Sequence, residues 1–384
     1  MQTRTRIYFD NAATTPLSEP ARAAFDTSST RSSNASSPYE IGRTARMALD
    51  KARSEVAQTV GAHNDEIVWT SGGTEADNWA LLGIALKNLD NRGHFIVSAI
   101  EHHAILEPIE TLRELGFSVD VAPVNSDGVL EVETLRALMR DDTLLVSTMH
   151  VNNETGVIQP IAQLAKIARE NGALFHTDAV QALGKVPINV DEMGVDLMSL
   201  SAHKFGGAKG IGAFYIRRGV KMQALLRGGG QERGRRAGTE NVPAIAAMGA
   251  AAKDARECFA QNVAHLNSLR ERFEAGLRVL EVAQINAETA PRAPHIVNVQ
   301  LQNVRAESLA MKLDLMGIAV GTGSACASGA LEPSHVLAAM GKTREEARSA
   351  LRVSFGVQNT IDEVDEFLDV LIKLNHQNTK NTKI

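Results

Sequence analysis

The sequence has only two cysteines in 384 residues, Cys258 and Cys326. No disulfide framework is expected from so few, and a reducing cytoplasm is the simplest location. No apolar run reaches about 18 residues, the length that reads as a membrane span. The opening stretch MQTRTRIYFDNAATT lacks the apolar core of a secretory signal. A basic excess is also missing: 40 Lys and Arg stand against 45 Asp and Glu, a net charge of −5. Stable nucleic-acid binding is therefore not expected. No internal repeat is present. What is there is an ordinary globular composition, 44% apolar and 22% charged, in a chain long enough for a large core and two domains.

Residues 43–60 have helical spacing and stop at Gly61. Residues 66–70 read as a strand and 74–89 as a helix. Buried strands are predicted at 94–99, 117–122, 143–148, 173–178, 195–200 and 212–217, with helices at 104–115 and 160–171 between them. This alternation predicts an α/β fold, a mostly parallel sheet flanked by helices. Ligands of such sheets bind at the carboxyl ends of the strands. Beyond about residue 240 the pattern changes. An Ala-rich helical region (243–280) precedes a strand at 295–301, a helix at 306–316, a short strand at 317–320, and helices around 333–351 and 361–374. This is an α+β unit, and its polar end is expected to fray.

Several stretches can carry chemistry, and each also has a plain structural reading. In WTSGGTEADN (69–78), Gly73 and Thr74 follow a strand and open a helix. Free N–H groups there suit an anion; equally, Thr74 would cap its own helix with Asp77 at its third position. Asp178 ends a buried strand and needs a cation. A protonated pyridine nitrogen of pyridoxal 5′-phosphate (PLP) would serve, as would an Arg or Lys in a salt bridge. Lys204, in SLSAHKFGGAKGIG (199–212), follows the next strand and can reach the same sheet edge. It reads either as a Schiff-base lysine or as a lysine snorkelling from a strand end.

His102 and His103 also follow a strand; an imidazole there stacks on a flat ring and exchanges protons, or is structural. MHVNNETG (149–156) is either a polar site or an Asn-rich turn. Cys326 sits among Gly, Ser and Ala, so a mobile loop with an exposed nucleophilic thiol is expected; Cys258 has a helical setting and reads as packing. Arg352 either grips a carboxylate with two N–H groups or lies on the surface. The stretch RGGGQERGRRAGTEN (227–241) reads as a loop offering Thr239 and arginines to an anion.

Taken in order, YFDNAATTP, TSGGTEADN, EHHAIL, HVNNETG, HTDAVQALGK, LSAHKFGGAKGIG, GGGQERGRRAGTEN and GTGSACASGALEPSHVL resemble the cysteine desulfurases of the NifS/IscS type. These are fold-type I PLP enzymes of the class V aminotransferase family. The motifs run from residue 8 to residue 337, with Arg352 beyond. The resemblance implies a large PLP-binding domain (15–257) and a smaller α+β domain (1–14 and 258–384) carrying the cysteine loop at about 321–333. It implies sulfur removal from L-cysteine, giving L-alanine and a persulfide on Cys326 that passes to an acceptor protein. Iron–sulfur cluster assembly, tRNA thiolation and DNA sulfur modification are the candidate uses. A selenocysteine lyase or a PLP-dependent aminotransferase is the alternative.

It further implies that Lys204 binds the cofactor covalently and that Asp178 pairs with the ring nitrogen. Gln181 reaches the phenolic oxygen, and His102 stacks on the ring and moves protons. Asn153 lies against cofactor and substrate, Gly73, Thr74, Ser201 and His203 hold the phosphate, and Arg352 binds the substrate carboxylate. Thr239 would complete the phosphate site across a homodimer interface. No metal site is implied. One stretch departs from the family pattern: NASSPYEIGR (34–43) carries Ala35, Pro38 and Tyr39 where Asn-Pro-x-Ser-x-His is common. Shifting a proline reshapes its loop.

Overall fold

The computed structural model describes residues 6–30, 33–322 and 333–381, with side chains as far as residue 374. Its centre is a seven-stranded sheet in the order Ile67–Thr70, Gly212–Ile216, Leu197–Ser201, Leu174–Asp178, Thr143–Ser147, His94–Ser98, Ser118–Ala122. Only Gly212–Ile216 runs against its neighbours; the other pairings are parallel. The predicted α/β architecture is therefore present. Six of these strands have no exposed residue, because helices cover both faces. The predicted buried strand at 117–122 is a correction. Ser118–Ala122 is the sheet edge, with Ser118 and Val121 exposed, because no strand lies beyond it.

One apolar cluster joins the sheet to helices Glu40–Val60, Ile161–Glu170 and Val242–Glu257, through Leu49, Val56, Leu164 and Met248. A second packs helix Gly73–Lys87 on the other face through Trp79, Leu81 and Ile84. A third, separate cluster holds Phe9, Phe273, Phe355 and Phe367, with the Phe273 and Phe367 rings stacked at 5.3 Å. It is built on the antiparallel strands Ala283–Ile285, Ile296–Leu301 and Ala350–Ser354. The parallel pair Ile7–Phe9 and Ile318–Val320 lies beside them.

Three expected elements differ. The helical span 104–115 is two helices, His103–Leu106 and Pro108–Glu114; Pro108 has no N–H to continue the first. The span 243–280 is likewise two, Val242–Glu257 and Phe259–Leu277, joined at Cys258. Cys258 is half-buried at this joint rather than packed in the core. The span 333–351 contains helices His335–Ala339 and Arg344–Arg348 but then enters the strand Ala350–Ser354. Arg352 thus sits on a buried strand, not on the surface.

Helix Glu40–Val60 ends where sequence reading put it, with Gly61 left-handed at φ 74°. Its Arg53 is buried and fixes a distant loop. The guanidinium donates to both carboxylate oxygens of Glu232, at 2.7 and 2.8 Å, and to the Ile67 carbonyl. It also lies 5.2 Å over the Trp69 ring. Glu232 accepts the Trp69 N–H in turn, although Glu232 and Arg233 have positive φ. Arg53→Lys keeps the charge and loses the two-pronged geometry. Urea unfolding should show a loss of about 2 kcal/mol; an unchanged midpoint would mean that the loop is held elsewhere.

Candidate active site

The strands Leu174–Asp178 and Leu197–Ser201 and the start of helix Gly73–Lys87 meet at one edge of the sheet. A cavity of about 760 Å³ opens there. It is lined by Gly73, Thr74, His102, Asn153, Asp178, Gln181, Ser201, His203, Lys204 and Arg352. Positions far apart in sequence thus converge because each lies at or just beyond a strand, or at a helix start facing that edge. Thr239 is exposed and is not part of the lining. Asn34 and Tyr39 do not line it either. Cys326 and most of its loop lie outside the described residues.

Thr74 does not cap its helix. The helix begins at Gly73, with Gly72 as a cap that has no side chain to offer. The first N–H groups are therefore left for an outside acceptor. A Cβ at Gly73 would stand 2.8 Å from Val180 Cγ2, so glycine is what lets this turn approach the next one. Ser201 and His203 flank the same helix start across the cavity. His203 shares a contact of 3.2 Å with Thr14 Oγ1. Burial and the charge of Lys204 push His203 down to about 4.

Asp178 is buried, and its Oδ1 accepts the Val180 N–H at 2.8 Å. Among the described residues no Arg or Lys closes a salt bridge on it, although the charge of Lys204 acts on it. Burial pushes its carboxyl up to about 6. Two further buried acids lie near. Burial, chiefly, raises Glu101 to about 8 and Asp77 well above its usual value, and the charge of Asp178 adds to both. Near neutral pH Glu101 keeps its proton, while Asp178 has largely lost its own. Sequence reading missed Glu101 and gave Asp77 only a capping role; no local pattern marks either carboxylate as buried.

Lys204 follows a strand on a short 3-10 turn. Its Nζ donates to the carbonyls of Ala12 and Ala13 at 2.6 and 2.8 Å. Its neighbour's carbonyl, on His203, accepts from both the N–H and the hydroxyl of Thr15. Segment 12–15 is thus laced to this turn. His102 caps the helix His103–Leu106 by accepting the Ala104 N–H at Nδ1, 3.1 Å. That bond places the proton of the neutral ring on Nε2. Burial, then the charge of Lys204, pushes His102 down to about 4. His103 is exposed beside Glu107 and takes no part.

The paired asparagines divide their work. Asn152 builds the turn, its Oδ1 accepting from Glu154 and Thr155; Asn153 lines the cavity. Both readings of that stretch therefore hold, one for each residue. Arg352 donates to the Asn153 carbonyl at 3.0 Å and to Asp10 Oδ1 at 2.8 Å. Its Nε is buried without a hydrogen-bond partner. Gln181 gives one amide N–H to the Ala12 carbonyl at 2.8 Å, and its Oε1 lies 3.3 Å from His295 Nε2, which leaves it a second N–H.

A lysine, an unpaired buried carboxylate, a flat imidazole and an uncapped helix start around one cavity define a fold-type I PLP enzyme. A family model described as aminotransferase class-V matches residues 7–367. The cysteine desulfurase IscS of Methanosarcina thermophila is 47% identical over 366 residues, which covers 95% of this chain and 91% of that one. A solved NifS-like protein matches with a TM-score of 0.91 and 38% identity, over 97% of this chain and 100% of its own. A structure described as SspA in complex with cysteine matches with a TM-score of 0.82 and 33% identity, over 93% and 100%. The chain belongs to the cysteine desulfurases of the class V aminotransferase family, which work with pyridoxal phosphate.

The residues present fit that cofactor. The helix start and Ser201 offer donors to a phosphate dianion. Asp178 offers a lone carboxylate to a ring nitrogen, and the cavity holds an amine that an aldehyde can meet.

Proposed function

We propose that the chain removes sulfur from L-cysteine and passes it to a protein acceptor through Cys326, as a homodimer. The observation that carries this reading is Asp178: a buried carboxylate without a salt bridge, in one cavity with Lys204 and an uncapped helix start. The relative named as a cysteine desulfurase and the solved neighbour that holds cysteine support the substrate. Cofactor ligands, in this reading, are Lys204 for the aldehyde, Asp178 for the ring nitrogen, His102 for the ring face and Gln181 for the phenolic oxygen. Gly73, Thr74, Ser201 and His203 take the phosphate, and Thr239 of a second subunit completes it. The exposure of Thr239, away from its own cavity, suits that assignment. Two domains, 15–257 and 1–14 with 258–384, meet at this cavity.

Bound pyridoxal phosphate supplies an electron sink, which lets bonds at the substrate carbons break at neutral pH. The remaining work belongs to the chain. Arg352, held by Asp10 and the Asn153 carbonyl, presents its Nε–H to the substrate carboxylate. Asn153 orients the substrate beside it. The freed Lys204 amine takes the proton from the substrate Cα and returns it later. His102 carries the thiol proton. The Cys326 thiolate attacks the substrate sulfur; the new S–S bond forms as Cβ–S breaks, and the bonding pair stays with the substrate. Protonation at Cβ completes alanine. Cysteine and one enzyme thiol thus give alanine and one enzyme persulfide, with no outside oxidant or reductant.

The test is incubation with ³⁵S-labelled L-cysteine, with alanine, sulfide and protein-bound label measured together. Equal alanine and transferred sulfur is the expected result; a keto acid in place of alanine identifies an aminotransferase instead. Cys326→Ala is expected to bind cofactor as the wild type does and to carry no label. Undiminished transfer from that variant to an acceptor would exclude Cys326 as the carrier. A pull-down under turnover identifies the acceptor. Among the described residues no helix is long and apolar enough to cross a membrane, in keeping with a cytoplasmic site of action.

A further inference from the structure

Glu75 and Arg236 take part in no step above, yet they form a two-pronged ion pair beside the cavity. Glu75 is in the first turn of helix Gly73–Lys87 and lines the cavity with Gly73 and Thr74. Arg236 belongs to the loop 227–241. Its Nε and Nη2 donate to Glu75 Oε1 and Oε2 at 2.9 and 3.1 Å. The two side chains are only 20% and 10% exposed, so solvent screens this pair far less than one on the surface.

Glu75 shapes the turn that precedes its helix. Its Oε2 accepts the Ser71 N–H at 2.7 Å, as the acid of a capping box reaches back from inside a helix. Gly72 has no side chain for that task. The carboxylate thereby puts a negative charge at the same helix start that takes the phosphate, and two anions held close repel. Burial works to raise the Glu75 carboxyl, but the bonds from Arg236 and Ser71 outweigh it and hold it below the usual range. It is therefore ionised at neutral pH. Glu232 and Glu240 also attract Arg236, but each has another arginine. Glu232 is bound by Arg53 at 2.7 Å, and Glu240 has Arg46 at 3.8 Å. The Arg236 donors go to Glu75, and among the described residues no other cation forms an ion pair with Glu75.

We propose that Arg236 is a positioning residue for the cofactor phosphate that acts through Glu75: it cancels the charge of the carboxylate that shapes the turn, so that a phosphate dianion can settle at the helix start. The proposal rests on the reading that Gly73, Thr74 and Ser201 hold that phosphate. Arg236 touches no part of the cofactor in this scheme. It also stands three residues before Thr239, so the pair pins the loop offered to a second subunit. Loss of Arg236 therefore has two consequences, an uncancelled charge and a freed loop. They separate in a double variant, because neutralising Glu75 repairs the first and not the second.

The test titrates the cofactor-free full-length chain with pyridoxal phosphate and with pyridoxal, which lacks the phosphate, and follows the visible band. The ratio of the two dissociation constants isolates what the phosphate contributes. Arg236→Gln should cut that ratio about tenfold. Glu75→Gln added to it removes the uncancelled charge, while its amide oxygen still accepts the Ser71 N–H. The double variant should return to within about threefold of the wild-type ratio. A double variant as impaired as Arg236→Gln overturns the proposal, since Arg236 would then act by holding the loop alone. An unchanged ratio in Arg236→Gln overturns it as well. If Arg236→Gln yields no folded protein, Glu75→Gln decides. It leaves the Arg236 charge uncancelled, so a ratio above the wild type supports the proposal, and an equal or lower one overturns it. Ser201→Ala checks the reading beneath. It should also cut the ratio, and an unchanged ratio in that variant would sink the placement of the phosphate at this helix start, whatever Arg236 does.

Discussion

Lys204→Ala is expected to be colourless with added pyridoxal phosphate and to form alanine from cysteine about 10⁴-fold more slowly, or less. One side chain is asked to do two things, to bind an aldehyde covalently and to carry a proton, so its removal costs both. The structure supplies the control. Lys204 Nζ also donates to the carbonyls of Ala12 and Ala13, and Ala12 is buried. Losing those donors costs on the order of 1–3 kcal/mol where a carbonyl is left unsatisfied. Lys204→Gln can keep part of that bonding while losing the amine. The Gln variant should hold segment 12–15 in place, seen as wild-type resistance to limited proteolysis, and be as inactive as the Ala variant. Turnover at the wild-type rate in either variant would remove Lys204 from the mechanism.

The central sheet was legible because its strands are short apolar runs between helical stretches, and burial on both faces writes that pattern directly into sequence. The last unit was harder. ALRVS at 350–354 follows the helix-forming TREEARS, and its local preferences continue that helix. Pairing with Ile296–Leu301 across about fifty residues decided otherwise, and no local signal carries that. Ile7–Phe9 and Ala283–Ile285 are three residues each, too short for any period to appear. Cys258 sits in a window of unbroken helical composition; the chain turns there to leave one core cluster and enter another. Strand Ser118–Ala122 was found, but its position at the edge is a fact of topology, not of composition.

The site was legible to a different degree at each residue. Asp178, Lys204 and His102 stand out because a polar group at the end of an apolar run is anomalous, and the fold resolves each anomaly into one cavity. Thr74 misled, since its side chain is a good cap and the glycines before it leave no trace of the approach to Val180. Glu101 and Lys185 were invisible for the opposite reason. Charged residues are mostly exposed, and only three-dimensional packing shows these two to be buried.

Asp178→Asn should lower alanine formation by about 10²–10³-fold while changing stability in the opposite sense. An amide offers the ring nitrogen no negative charge, so the electron sink weakens. In the cofactor-free protein the same carboxylate is a burden. Its unfolded form ionises near 3.8 and its folded form near 6, because burial disfavours the charge. Between those values the folded state holds the extra proton, so stability falls as pH rises through that window. By pH 7 the cost is on the order of 3 kcal/mol. The Asn variant has no such titration, and it also removes the charge that helps to raise Asp77 and Glu101. Denaturant unfolding of cofactor-free wild type and variant at pH 4 and pH 7 should therefore show the gap between them move toward the variant by roughly 2–3 kcal/mol on going up in pH. Added pyridoxal phosphate should restore much more stability to the wild type than to the variant at pH 7, since only the wild type gains a partner for its buried anion. Parallel pH profiles for the two cofactor-free proteins would mean that Asp178 is already satisfied without the cofactor, and the observation on which the functional reading rests would be lost.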